Sequence, residues 1–336
     1  DALLPHGAQG IADALTSSGL EMVAWPAPAF FYAKTKMKTG QLIVRTKGVR
    51  IESGQRVVSS RQFLNRQARD LSYVNDVESP MFYVKGAVST QLIEQVRLRT
   101  PGRKFYACAT PDGYSGIVLA GEVECYAYSA VPFAMHGVSP TSAGVNYYAS
   151  DDRAKRQSDA FFRHASTRPM HRELGNQPYS PLIALMTADY LLTARDLPGW
   201  PGYFPPICYK QLLRKGLEEL ASGLYPEERI QRELTILNGV AQHHGLRAYF
   251  HRKVKRIRRT LRTTLEGNAI SPSRLYLNAD QYKIFNVYDA SYVAYYLHQI
   301  APQINLGTAW SFLKNSIGYR LRSFHWGNRL PLPDER

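Results

Sequence analysis

Long hydrophobic runs are missing from this 336-residue chain. No apolar stretch reaches the roughly 18 residues of a membrane-spanning helix, so none is expected. Cysteine is scarce: Cys108, Cys125 and Cys208 are odd in number and far apart. That spacing excludes a disulfide framework and a cysteine-based zinc pattern, and it suits a reducing compartment. No GxxxxGK[ST] stretch is present, which argues against an ATP-driven motor. His243-His244 lacks HExxH spacing, and His164 and His171 stand alone, so none reads as a metal site. The first residues, DALLPHGAQG, have neither a basic nor a continuous apolar stretch, so no secretory signal is expected. The expected place is inside a cell or a virion. Acidic side chains are also in deficit, with 27 Asp+Glu against 42 Lys+Arg and a net charge of +15. Such an excess points to a polyanionic partner, DNA or RNA. Hydrophobic residues at 44% and charged residues at 21% exclude wholesale disorder.

The excess charge is unevenly spread. Residues 1–150 hold 15 basic and 11 acidic side chains, and residues 151–336 hold 27 and 16. Texture changes at about the same place. In the first half, FFYAKTKMKTGQLIVRTKGVRI, MFYVKGAV, KFYACAT and SGIVLAGEVECYAYSAV are short runs rich in Val, Ile, Tyr and Phe, which read as strands. Lys38-Thr39-Gly40 and Pro111-Asp112-Gly113-Tyr114 read as hairpin turns. One helix is expected over roughly Ser59–Leu71. In the second half, PLIALMTADYLLTARDL, YKQLLRKGLEELASGLY and EERIQRELTILNGVAQHHG carry apolar residues at helical spacing, with prolines at plausible helix starts. Further helices are expected near Asp289–Ile300 and Gly307–Ser316. The expected fold class is α+β: a β-rich antiparallel N-terminal half followed by an α-helical, strongly basic C-terminal half. The expected division is 1–138, a polar linker 139–159, and 160–336.

HRKVKRIRRTLRTTL, residues 251–265, concentrates the charge. Val254, Ile257, Leu261 and Leu265 mark one apolar stripe of a predicted helix. Arg252, Lys253, Lys255, Arg256, Arg258, Arg259 and Arg262 fill the rest of its circumference. Like charges this dense repel one another unless a polyanion neutralises them, so phosphate-backbone binding is the expected role. The stripe lacks the Trp and Phe anchors of a membrane-surface helix, so no membrane partner is expected. The alternative is a solvated face beside acidic neighbours. Several of the 22 tyrosines cluster, as in Tyr147-Tyr148 and Tyr288, Tyr292, Tyr295-Tyr296. They suit either base stacking or core packing.

Two short constellations invite enzymatic readings. Arg45, Ser89-Thr90 and Glu122-x-Glu124 stand in the order used by ADP-ribosyltransferases, though alternating Glu on a strand also simply faces solvent. Asp1-Ala2-Leu3-Leu4, followed by EMVAWPAPAFFYAKTKMKTGQLIVRTKGVRI, resembles the stretch after the last metal-binding Asp of protein-primed family B DNA polymerases. The resemblance covers about 50 residues. It implies that Asp1 is a catalytic, metal-binding carboxylate and that Lys34 or Lys36 approaches the primer end. Lys47-Gly48 would then lie near a palm–thumb junction, and the cofactor would be a divalent metal such as Mg. No fingers motif and no first catalytic Asp accompany it, so it implies one part of a viral or mobile-element replication enzyme, completed by a missing half. The alternative is an ordinary lysine-lined hairpin. In a second class of function, the chain is a structural virion or capsid-type protein, a homo-oligomer whose basic half binds the packaged genome.

Overall fold

The computed structural model describes residues 1–35, 39–45, 55–82, 84–148, 152–261, 268–271, 274–300, 314 and 325–330. The fold is α+β. In chain order the first half contains β1 (Ala2–Leu3), α1 (Gly7–Ser18), β2 (Met22–Ala24), β3 (Ala29–Phe31), β4 (Gln41–Arg45), β5 (Gln55–Ser59), α2 (Ser60–Asp70), β6 (Gly86–Val88), α3 (Thr90–Arg99), α4 (Pro111–Glu122), β7 (Cys125–Ser129) and β8 (Ala134–Val138). Then come α5 (Ala143–Asn146), α6 (Asp152–Ala165), α7 (Ile183–Arg195), α8 (Tyr209–Leu220), α9 (Glu227–His243) and α10 (Arg247–Arg256). β9 (Arg258–Leu261), β10 (Ala269–Ser271), β11 (Arg274–Asn278), α11 (Val287–Ile300) and β12 (His325–Arg329) follow.

Two sheets share a bent pair of segments. One sheet has the order β5-β7-β2-β6, and the other β1-β8-β3-β4-β11-β10. β2 runs parallel to β7 in the first, and β3 runs parallel to β8 in the second. The sheets are therefore mixed, where an antiparallel arrangement was expected. Pro26 and Pro28 separate β2 from β3, and Pro132 lies between β7 and β8. Proline has no N–H to give to a ladder, so each segment leaves one sheet there and enters the other. Trp25 and Phe133 fill the bend, edge to face at 5.3 Å.

The helix expected near Ser59–Leu71 is present as α2. Ser59 caps it by accepting from the Gln62 N–H, and Phe63, Leu64 and Ala68 bury one face. Each large side chain so buried contributes about 2 kcal/mol. The three amphipathic segments of the second half fold as α7, α8 and α9, and the one near 289–300 as α11. Residues 307–316 lie outside the described residues, apart from Lys314.

Three expectations change. Pro111-Asp112-Gly113-Tyr114 opens helix α4 instead of turning a hairpin, with Pro111 in its first turn. The helix is buried from Gly113 to Gly121, so its sequence is apolar all round and mimics a strand. Glycine is needed for this: a Cβ on Gly116 would lie 2.2 Å from the Pro80 carbonyl, and one on Gly121 2.0 Å from Trp200. Segment 139–159 is not a bare linker, because α5 and part of α6 occupy it and Tyr147 is fully buried. The main core runs from Met22 through Val254 to Leu330, so it draws on both halves of the chain. The basic stretch 251–265 is not one helix either. α10 ends at Arg256, Ile257 is extended (φ −77°, ψ 139°), and Arg258–Leu261 pairs with β12. Val254 and Ile257 of the expected stripe still pack against the core; Leu261 lies instead on a strand paired with β12, and Leu265 lies outside the described residues.

Candidate nucleic-acid interface

Phe250 and Val254, one turn apart on α10, are both fully buried. That fixes the opposite side of the helix outward. Arg252, Lys255 and Arg256 are exposed there, and Arg258 is exposed just beyond. Lys253 turns along the flank, its Nζ 5.7 Å from the centre of the Tyr249 ring. The Tyr249 hydroxyl donates to the Lys210 carbonyl at 3.3 Å, which ties α10 to α8. Tyr249, Arg252, Lys253 and Arg256 line a shallow depression of ≈ 220 Å³. Cations in the last turn suit the negative end of the helix dipole, which offsets part of their mutual repulsion.

These cations differ in their partners. Arg259 is neutralised by Glu227 at 2.6 Å and also donates to the Tyr225 carbonyl. Among the described residues, Arg252 donates to the Ala248 carbonyl of its own helix and to no other group. Among the described residues Arg252, Lys255, Arg256 and Arg258 have no carboxylate within ion-pair distance. Arg262, Lys36 and Lys47 lie outside the described residues.

Asp1 and Lys34 come together at one end of the larger sheet. β1 is antiparallel to β8, so Asp1 sits at the C-terminal end of β8. β3 is parallel to β8, so the turn bearing exposed Lys34 (φ +64°) leaves the sheet at that same end. β11 also ends there, through β4, and the Val287 N–H of α11 donates to the Tyr32 hydroxyl at 3.2 Å. On α11, Tyr288, Tyr292 and Tyr296 are exposed at successive turns, with exposed Phe285 just before them. The Tyr288 and Tyr292 rings meet at 5.0 Å, and their hydroxyls at 3.0 Å.

The surroundings of Asp1 do not make a metal centre. Its Oδ1 accepts from the Gly137 N–H at 2.8 Å and lies 3.0 Å from His136 Nδ1. Burial lowers the His136 pKa, which favours the neutral ring. Among the described residues no group of three His, Cys, Asp or Glu side chains could hold a metal ion. The residues present therefore do not fit the two-metal site that the resemblance implies, and no catalytic step is assigned to them. The ADP-ribosyltransferase order also dissolves: Ser89 caps α3, while Glu122 ends α4 with its carboxylate 2.9 Å from Arg99.

Sequence reasoning missed a cavity of ≈ 700 Å³ between the loop after α3, the turn before α7 and the end of α7. Its residues are scattered from Thr100 to Pro198, and no motif links them. No known protein family, characterised protein or solved structure matches the chain.

Proposed function

We propose that the chain binds nucleic acid through the sugar–phosphate backbone, along the exposed side of α10 and the start of β9. The observation that carries this reading is the set of four exposed cations, Arg252, Lys255, Arg256 and Arg258, without carboxylate partners among the described residues. Unneutralised charge so dense is costly alone and favourable beside phosphates, where counter-ions are released. Contacts of this kind position a strand and carry no sequence information. The exposed aromatic row of α11 adds platforms on which unpaired bases stack.

The finer reading is a part of a viral or mobile-element replication enzyme that grips DNA beside a primer end. It draws on the resemblance around Asp1 and on the position of Asp1 and Lys34 at one sheet end, near the start of α11. Fluorescence anisotropy with single-stranded, duplex and primer–template DNA of equal length tests both levels. Preference for the primer–template junction supports the replication-enzyme reading. Equal binding to all three keeps backbone binding and removes the finer reading. No binding at low salt removes both.

A further inference from the structure

The cavity between α3, α7 and the turn before α7 lies in the size range of small-molecule sites. Its walls are mainly apolar, with Ala107, Ala109, Met170 and Leu197 among them. Tyr106 lines the cavity and is 54% exposed. The polar groups divide into committed and uncommitted sets. Asp196 lies 2.9 Å from His171 Nε2 and pairs with Arg172 at 3.1 Å. Asp189, 7% exposed, accepts from the His171 N–H at 2.7 Å. Burial raises the carboxyl pKa of Asp189 and pushes that of the Cys108 thiol well up. The shift favours the neutral thiol. Lys104 and Arg168 are exposed lining residues, and neither makes an ion pair or side-chain hydrogen bond among the described residues.

A mainly apolar cavity with an exposed tyrosine and two cations outside ion-pair distance of any described carboxylate suits an anion that carries a planar ring. We infer that this cavity binds a nucleotide, with its base against Tyr106 and the apolar wall and its phosphate on Lys104 and Arg168. Thr193 and the Asp189 carboxyl offer hydrogen-bonding groups for the base edge. The same chemistry comes from a free mononucleotide or from the terminal nucleotide of a strand. The site is separate from the α10 face, so it stands or falls without it.

Isothermal titration calorimetry on the full chain with deoxycytidine monophosphate, deoxycytidine and inorganic phosphate tests the inference. The monophosphate should bind at least about tenfold more tightly than either fragment, because only it engages both wall and cations. The pair Lys104→Ala and Arg168→Ala should lose about tenfold or more in affinity for the monophosphate, and so should Tyr106→Ala. All three residues contribute exposed side chains, and circular dichroism would verify that the variants fold. The triple variant Arg252→Glu, Arg256→Glu, Arg258→Glu should keep full affinity for the monophosphate. No binding of the monophosphate, equal binding of inorganic phosphate, or undiminished binding by the folded variants would overturn the site. A 5′-phosphorylated oligonucleotide that displaces the monophosphate identifies a strand end as the source. Failure to displace it identifies the free nucleotide.

Discussion

Helices α9 and α10 are consecutive and both carry arginines, yet their cations have different surroundings. On α9, Arg232 lies beside fully buried Glu233, which also accepts from the hydroxyls of Tyr147 and Ser180. Arg229 pairs with Asp159 at 2.6 Å and lies over the Tyr147 ring. On α10 and the start of β9, Arg259 has a carboxylate, Lys253 lies against the Tyr249 ring, and Arg252, Lys255, Arg256 and Arg258 face solvent with no carboxylate partner among the described residues. A buried charge must be matched inside the fold, or the fold loses stability. An exposed charge can wait for a partner outside it. The first arrangement specifies structure, and the second leaves charge available for binding.

The largest expected effect breaks the matched side. Glu233→Ala leaves the Arg232 guanidinium with the Tyr179 carbonyl and the Tyr147 hydroxyl but no carboxylate, leaves the Tyr147 and Ser180 hydroxyls without their acceptor, and should cost about 3 kcal/mol in urea unfolding. A loss under about 1 kcal/mol would mean that the network is not stabilising.

Nearby Glu219 sharpens the same point through pH. Its carboxylate accepts from the Ile183 N–H and the Tyr225 hydroxyl, and burial lifts its pKa from 4.5 to about 7. The folded state then holds a proton that the unfolded chain releases between these values. Its contribution to stability therefore falls as pH rises from about 4.5 to 7 and is level above. Relative to Glu219→Gln, the wild type should lose about 3 kcal/mol across that window. Parallel stability curves for the two proteins would contradict the shift.

On the unmatched side, Arg252→Glu, Arg256→Glu and Arg258→Glu together should weaken DNA binding about 100-fold at low salt. Unfolding free energy should fall by no more than about 1 kcal/mol, the loss of the favourable position at the negative end of the helix dipole, because these surface groups have no internal carboxylate partner among the described residues. The smallest effect belongs to Arg259→Gln. It removes a pair with exposed Glu227, so it should cost at most about 1 kcal/mol of stability. It should also weaken DNA binding less than Arg258→Gln, measured on the same probe.

The sequence made some of this legible and hid the rest for identifiable reasons. α7, α8 and α9 were readable from apolar spacing, and α2 from a Ser59 cap before an amphipathic face. α4 was hidden because a helix buried on all sides loses its period, and its glycines serve close packing against Pro80 and Trp200 rather than a turn. The end of α10 depends on a ladder to β12, some 65 residues further on, which local propensity does not contain. The basic residues themselves were visible, but which of them are neutralised was not: Glu227 reaches Arg259 across 32 positions. The cavity is assembled from Lys104, Arg168 and Asp189 on three separate segments, so no spacing announces it.

The salt dependence of DNA binding tests the central claim most directly. With backbone contacts from the four unpaired cations, the logarithm of the duplex association constant should fall against log salt with a slope of about −3 to −4. The variant with Arg252, Arg256 and Arg258 all replaced by Gln should flatten that slope by up to about 3, with its fold intact. An unchanged slope in the folded variant would contradict the assignment of α10 and β9 as the nucleic-acid grip.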